Sequence, residues 1–179
     1  MQRTAVMLVL CLCWSRTVTG GEILDVSVQR AGDGFVVLTT ARIDAPLADV
    51  HAAITDYANL AAINPSILES RVTRREASGV QRVRTVIRVC ILVFCKDVVL
   101  EQDVSEPVSG EIVAVMIPGN CDFRSGQAHW SLQAEGNSTR MRYSQVFEPD
   151  FWVPPLIGPW LMRNKLVEEV ETTMRYLER

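Results

Sequence analysis

Between residues 66 and 148 the chain offers strand patterns and turns and nothing else, and one long amphipathic segment follows. An antiparallel sheet with one dry face must cover that face, and only the last segment is large enough to do so. In "QRVRTVIRV", Val83, Thr85, Ile87 and Val89 alternate with Arg82, Arg84 and Arg88, which makes one face wet and the other dry. "TRMRYSQVFE" repeats the pattern, with Met141, Tyr143 and Phe147 inward and Arg140 and Arg142 outward. "ILESRVTRRE", "KDVVLEQDVSE", "GEIVAVMI" and "GQAHWSLQAE" are set off by turn residues at hairpin spacing, so the region reads as an antiparallel meander. In "PPLIGPWLMRNKLVEEVETTMRYLER", Trp160, Leu166, Val167, Val170, Met174 and Leu177 recur at helical spacing, and Pro154, Pro155 and Pro159 stiffen its entry.

Upstream, residues 22–30 and 34–43 read as β, joined at the turn Ala31-Gly32-Asp33-Gly34. The period then changes. Asp44 and Pro46 open a helix with Val50, Ala53, Ile54 and Tyr57 on one face, and a shorter helical piece closes at Asn64-Pro65. The expected fold class is α+β: a curved antiparallel sheet wrapped around a long C-terminal helix, with two short helices after the first long strand. A curved sheet and a straight helix do not mate everywhere, so a cavity between them is expected.

The first twenty residues stand apart. Met1-Gln2-Arg3, an apolar run from Ala5 to Trp14 and the small residues Val18-Thr19-Gly20 have the layout of a cleaved secretory signal peptide. The run is too short to span a bilayer. The expected organisation is a signal peptide over 1–20 and one domain over 21–179, exported to the periplasm. Removing Arg3 and Arg16 leaves 16 basic against 21 acidic residues. A domain that acidic has no electrostatic footprint for nucleic acid.

Catalytic patterns are sparse. His51 and His129 read as surface or boundary residues; no Ser–His–Asp, paired-carboxylate, P-loop or dinucleotide arrangement is legible. Asp56 and Tyr57 close the first helix, where Tyr57 would face the interior. Asn137-Ser138-Thr139 fits a glycosylation acceptor but is read as a hairpin turn. No catalytic residue, cofactor or metal ligand is assigned, since one close cysteine pair lacks the partners a zinc site needs.

That pair is "CILVFC", Cys90 to Cys95. On one straight strand the two would lie about 16 Å apart on opposite faces. If the chain reverses within Ile91–Phe94 they become opposed hairpin partners at disulfide distance. The expected bond is Cys90–Cys95, with a Cys95–Cys121 bond across neighbouring tips, or none, as the alternatives.

"ARIDAPLADVHAAITDYANLAAINP" and "CDFRSGQAHWSLQAEGNSTRMRYSQVFEPDFWVPPLIGPWLMRNKL" together resemble the START-like, or polyketide cyclase/dehydrase, superfamily of helix-grip proteins (SRPBCC), over residues 35–179. The nearest resemblance is to coenzyme Q-binding START-like proteins and to secreted relatives of unknown role. The resemblance implies a cavity for a hydrophobic small molecule such as a lipid, quinone or other isoprenoid-like compound. It also implies a hairpin tip at 91–94. Tyr57, Trp130, Met141, Tyr143, Phe147, Trp160, Val167, Val170 and Met174 would line the cavity, with Tyr143 as polar anchor. The family's cavity mouth would then gather apolar tips: Leu92, Phe94, Phe123, Phe151, Trp152, Val153, Leu156 and Ile157, with Trp160 beside them. Such a rim suits a transient membrane contact, or else a closed lid. The expected role is an exported monomeric carrier. An aromatase/cyclase-like enzyme and an interaction module with a filled cavity are the alternatives.

Overall fold

The computed structural model describes residues 20–91, 94–154 and 156–179. The leader expected over 1–20 falls outside them save for Gly20, as do Leu92 and, of the stiffening prolines, Pro155. In chain order the elements are β1 (Glu22–Ala31), β2 (Gly34–Ile43), α1 (Leu47–Thr55), α2 (Leu60–Ile63), β3 (Ile67–Arg75), β4 (Gln81–Ile91), β5 (Phe94–Ser105), β6 (Glu111–Met116), β7 (Phe123–Glu135), β8 (Ser138–Pro149) and α3 (Gly158–Leu177). The strands form one antiparallel sheet in the order β1-β2-β8-β7-β6-β5-β4-β3. The two helices between β2 and β3 carry the chain from one edge region of the sheet to the other. The expected helix-grip architecture is the observed one.

Turn chemistry sets the register. Gly32 takes a φ of 61° between β1 and β2, and Gly136 takes 64° between β7 and β8, a region side-chain-bearing residues rarely enter. Asn137 completes the second turn, so Glu135 pairs with Ser138. Thr139 is then fully buried and its hydroxyl donates to the Ala45 carbonyl at 2.8 Å. This bond ties the start of β8 to the β2–α1 junction.

The dry face divides into three apolar groups. Ala41, Ile43, Val50, Leu132 and Met174 join sheet, α1 and the end of α3. Tyr57, Val83, Val104, Ile112, Ala114 and Ala128 form a second group under α1 and α2. Val98, Met116 and Phe123 form the third, at the end of the sheet that bears the β4–β5 and β6–β7 tips. Helix α3 packs chiefly along β1, where the Arg163 guanidinium donates to the Val26 carbonyl at 3.2 Å. Across β3 to β7 the helix stands clear of the sheet, and that gap is the cavity.

Candidate functional site

The cavity measures about 350 Å³. Its floor is shallow where β6 carries Ala114, almost completely buried, with Ala128 beside it on β7 in the core beneath. A larger side chain at Ala114 would reach into the gap, so this small residue helps to keep the space open. The walls are Val83, Thr85 and Ile87 from β4, Leu100, Gln102 and Val104 from β5, and Trp130, Met141, Tyr143 and Gln145 from β7 and β8. Ile54, Tyr57, Leu60 and Ile63 close it from α1 and α2. From α3 come Leu166, Glu169, Val170, Thr173, Met174 and Leu177.

Two tyrosines bring oxygen to this apolar surface. Tyr143 lies against Trp130, with ring centroids 4.9 Å apart, and its hydroxyl donates to Gln145 Oε1 at 2.7 Å. Burial pushes the Tyr143 phenol well above its ordinary pKa, so it is a neutral donor at any ordinary pH. Tyr57 donates to Glu106 Oε1 at 3.3 Å, while His51 Nε2 meets Glu106 Oε2 at 2.9 Å. Burial first, and then the Glu106 charge and hydrogen bond, raise the Tyr57 phenol as well. His51 and Glu106 are each about one-third exposed and neither lines the cavity.

Where α2 and the start of β3 face α3, polar contacts close the wall. Glu169 accepts from the Ser66 hydroxyl at 2.7 Å, from the Asn64 amide and from Lys165 Nζ at 2.7 Å. Asn64 is buried, and its amide also donates to Thr173 Oγ1 at 3.4 Å while its oxygen accepts from the Ser66 N–H at 2.9 Å, so Glu169 supplies the shorter of its two amide contacts.

Of the nine residues expected to line the cavity, Tyr57, Trp130, Met141, Tyr143, Val170 and Met174 do. Phe147, Trp160 and Val167 do not. Phe147 shares the inward face of Tyr143 but sits four residues further along, about 13 Å. There it packs against Phe35 at 5.7 Å and Phe123 at 5.6 Å. Val167 is one residue, about 100°, round the helix from Leu166 and leaves the cavity-facing arc. Trp160 belongs to the first turn of α3 and is largely exposed.

The apolar tips also divide. Phe123 is buried and Phe151 half-buried, stacked edge-on at 6.2 Å in the aromatic cluster that fills this end of the sheet. Of the two arrangements expected for the tips, exposed rim or closed packing, these two phenylalanines take the second. Val153 is half-buried and packs on Gly158. Trp152, Leu156, Ile157 and Trp160 remain exposed, Trp152 at 78% and Leu156 at 93%. Leu92 lies outside the described residues, and of Phe94 only the backbone is described, at the start of β5.

Cys90 and Cys95 are opposed partners of the β4–β5 hairpin, with Cα atoms 4.0 Å apart, and are joined by a disulfide. Cys121 is a free thiol that donates to the Ile117 and Phe123 carbonyls at 3.2 and 3.4 Å. The rival Cys95–Cys121 pairing fails because Cys95 shares the outward face of Asp97, whereas Cys121 packs against the inward group of Val98, Met116 and Phe123.

Thr85, Gln102, Gln145, Glu169 and Thr173 also line the cavity, beyond the residues expected there. The first three carried a legible signal: each is a polar residue in phase with the dry face of its strand.

A model of the family described as polyketide cyclase / dehydrase and lipid transport matches residues 35–179. Solved structures of the same shape include a START superfamily protein from Mycobacterium smegmatis, with TM-score 0.69 and 18% identity. That likeness covers 80% of this chain and 97% of the other. A STAR-related lipid transfer protein from Xanthomonas axonopodis gives TM-score 0.65 and 13% identity over 90% of this chain and all of the other. The Zhui aromatase/cyclase from Streptomyces gives 0.59 and 14% over 79% and 90%. No curated protein matches the sequence.

Proposed function

The chain belongs to the polyketide cyclase / dehydrase and lipid transport family, and from that premise we propose that it is an exported carrier of a hydrophobic small molecule. The observation that carries the reading is the cavity itself. It is about 350 Å³, walled mostly by aliphatic and aromatic side chains, and among the described residues it is lined by no free charge, since Glu169 is already engaged by Lys165, Asn64 and Ser66. Such a space favours an apolar guest through the surface removed from water. The similar proteins named for lipid transfer and for aromatase/cyclase activity support the choice of ligand class without fixing it.

Export is part of the proposal. The charged, apolar and small-residue order of residues 1–20 supports it, and a Cys90–Cys95 disulfide fits an oxidising compartment. The membrane contact is narrowed to Trp152, Leu156, Ile157 and Trp160, which expose two indoles and two aliphatic chains within nine residues. Trp160 and the first cavity residue of α3, Leu166, are separated by about 9 Å along the helix axis, close enough for a docked protein to exchange ligand with a bilayer.

An enzymatic reading has one observation in its favour, the His51–Glu106–Tyr57 chain at the cavity edge. Only Tyr57 of the three reaches the cavity, and its phenol is held neutral, which is why the carrier reading is preferred. Titration with the neutral apolar dye N-phenyl-1-naphthylamine tests the proposal. Saturable emission at one dye per chain is expected, and its absence contradicts it.

A further inference from the structure

The polar groups of the cavity are arranged so that their unused capacity is specific. Gln145 spends its carbonyl oxygen on the Tyr143 hydroxyl, which leaves its amide N–H groups as donors on the cavity wall. Gln102 and Thr85 also line the cavity, and among the described residues neither side chain is engaged in a hydrogen bond. Thr85 is 6% exposed, so its hydroxyl has the cavity as its only outlet. Gln145 stands on β8 in the row that runs through Ala128 and Ala114 to Val104, and Gln102 is the next inward residue of β5, opposite Met116. The remaining ionisable groups on the wall are Tyr57, Tyr143 and Glu169, and each is already committed to a protein partner.

We infer that the ligand is an uncharged, largely apolar molecule carrying a hydrogen-bond-accepting carbonyl oxygen, held by the Gln145 amide and assisted by Gln102 or Thr85. A pure hydrocarbon would leave these donors buried and unpaired, which costs binding energy. A carboxylate would enter with no counter-charge to meet it, and an ammonium would find Glu169 occupied by Lys165. A ketone, quinone or ester-type oxygen satisfies the amide without bringing a charge inside. The inference rests on the carrier reading and sharpens which apolar molecule is carried.

The test compares three probes of equal chain length, dodecan-2-one, dodecanoate and dodecane, by displacement of the bound naphthylamine dye at neutral pH. Dodecan-2-one is expected to bind at least tenfold more tightly than either of the others. Gln145→Leu is expected to remove that tenfold advantage and leave dodecane binding unchanged or tighter, which a merely unfolded variant could not do. Gln145→Asn, which keeps the amide but draws it back, is expected to fall between. Equal binding of ketone and hydrocarbon, or tighter binding of the carboxylate, would overturn the inference while leaving a carrier in place. No displacement by any probe, together with no dye binding, would overturn both.

Discussion

Ser66, at the entry to β3, donates its hydroxyl to Glu169 of α3 across 2.7 Å, and Asn64 donates to the other oxygen of the same carboxylate. Here one carboxylate joins the α2–β3 segment to the helix that the rest of the sheet grips. Helix α3 is otherwise anchored on the far side, along β1. A ligand entering between α2 and α3 would have to break this clasp, so Glu169 is placed to set the exchange rate. Glu169→Ala is expected to lower stability by about 1–3 kcal/mol, since it removes the acceptor shared by Asn64, Ser66 and Lys165 and leaves the buried Asn64 amide only its longer contact to Thr173. It is also expected to accelerate release of bound dye. Urea unfolding and stopped-flow dye dissociation measure the two effects. Unchanged release with lowered stability would show that the clasp does not gate the cavity.

Filling the cavity should separate binding from folding. Val170 lines it from α3, half-buried at the margin of the core group of Ala41, Ile43 and Met174, so a larger side chain there has the cavity to extend into. Val170→Phe is expected to weaken dye binding tenfold or more and to leave the melting temperature within a few degrees. An unaltered affinity would place the bound dye elsewhere.

The Cys90–Cys95 bond closes a loop of six residues, counting both cysteines. A loop that short restricts the unfolded chain only modestly, by about 2 kcal/mol. Cys90→Ala with Cys95→Ala should therefore lower the urea midpoint without abolishing folding or dye binding. Thiol labelling of denatured, unreduced mature protein should find one free cysteine, Cys121. Two or three labelled thiols would contradict the pairing.

Acid should loosen the tip end of the sheet first. Burial would raise the Asp122 carboxyl, but the Lys96 ammonium at 2.8 Å and the Val99 N–H at 2.8 Å outweigh it and hold the pKa below the usual 3.8. Because the folded value is depressed, the stabilisation is complete above the unfolded value, about 3.9, and is lost as pH falls through the folded one. Wild-type stability is expected to drop below pH 4. Asp122→Asn should be less stable at pH 7 and flatter through the acid range. Equal acid slopes in urea titrations of the two proteins would contradict this.

Membrane contact is testable at the entry to α3. Serine at Trp152 and Trp160 should reduce sedimentation with phosphatidylethanolamine–phosphatidylglycerol vesicles several-fold, because both indoles are largely exposed and support no core. Dye binding should be unaffected. Retained vesicle binding would assign these residues another role.

Most of this architecture could be read from the sequence, because period and turn chemistry act locally. Val83, Thr85 and Ile87 alternate with arginines and face inward as expected, and Gly136-Asn137 makes the expected turn. The site was less legible, because cavity and core use the same apolar residue types. Phe147 and Tyr143 share a strand face and a character, yet one packs in an aromatic cluster and the other borders a void. Helical spacing likewise placed Trp160, Leu166 and Val167 in one stripe. The stripe is wider than the arc that meets the cavity, and only the packing of α3 on β1 decides which side faces which partner. The most specific polar groups, Gln102 and Gln145, were visible as polar residues in phase with a dry face.

A carrier of this kind requires a cavity that holds an apolar guest. The most direct measurement is mass spectrometry of the organic extract of the mature protein purified from its exporting host under native conditions. The predicted result is a neutral, carbonyl-bearing apolar compound, near one per chain, missing from the Val170→Phe protein. An extract with no enriched compound, from protein that also fails to take up the dye, would contradict it.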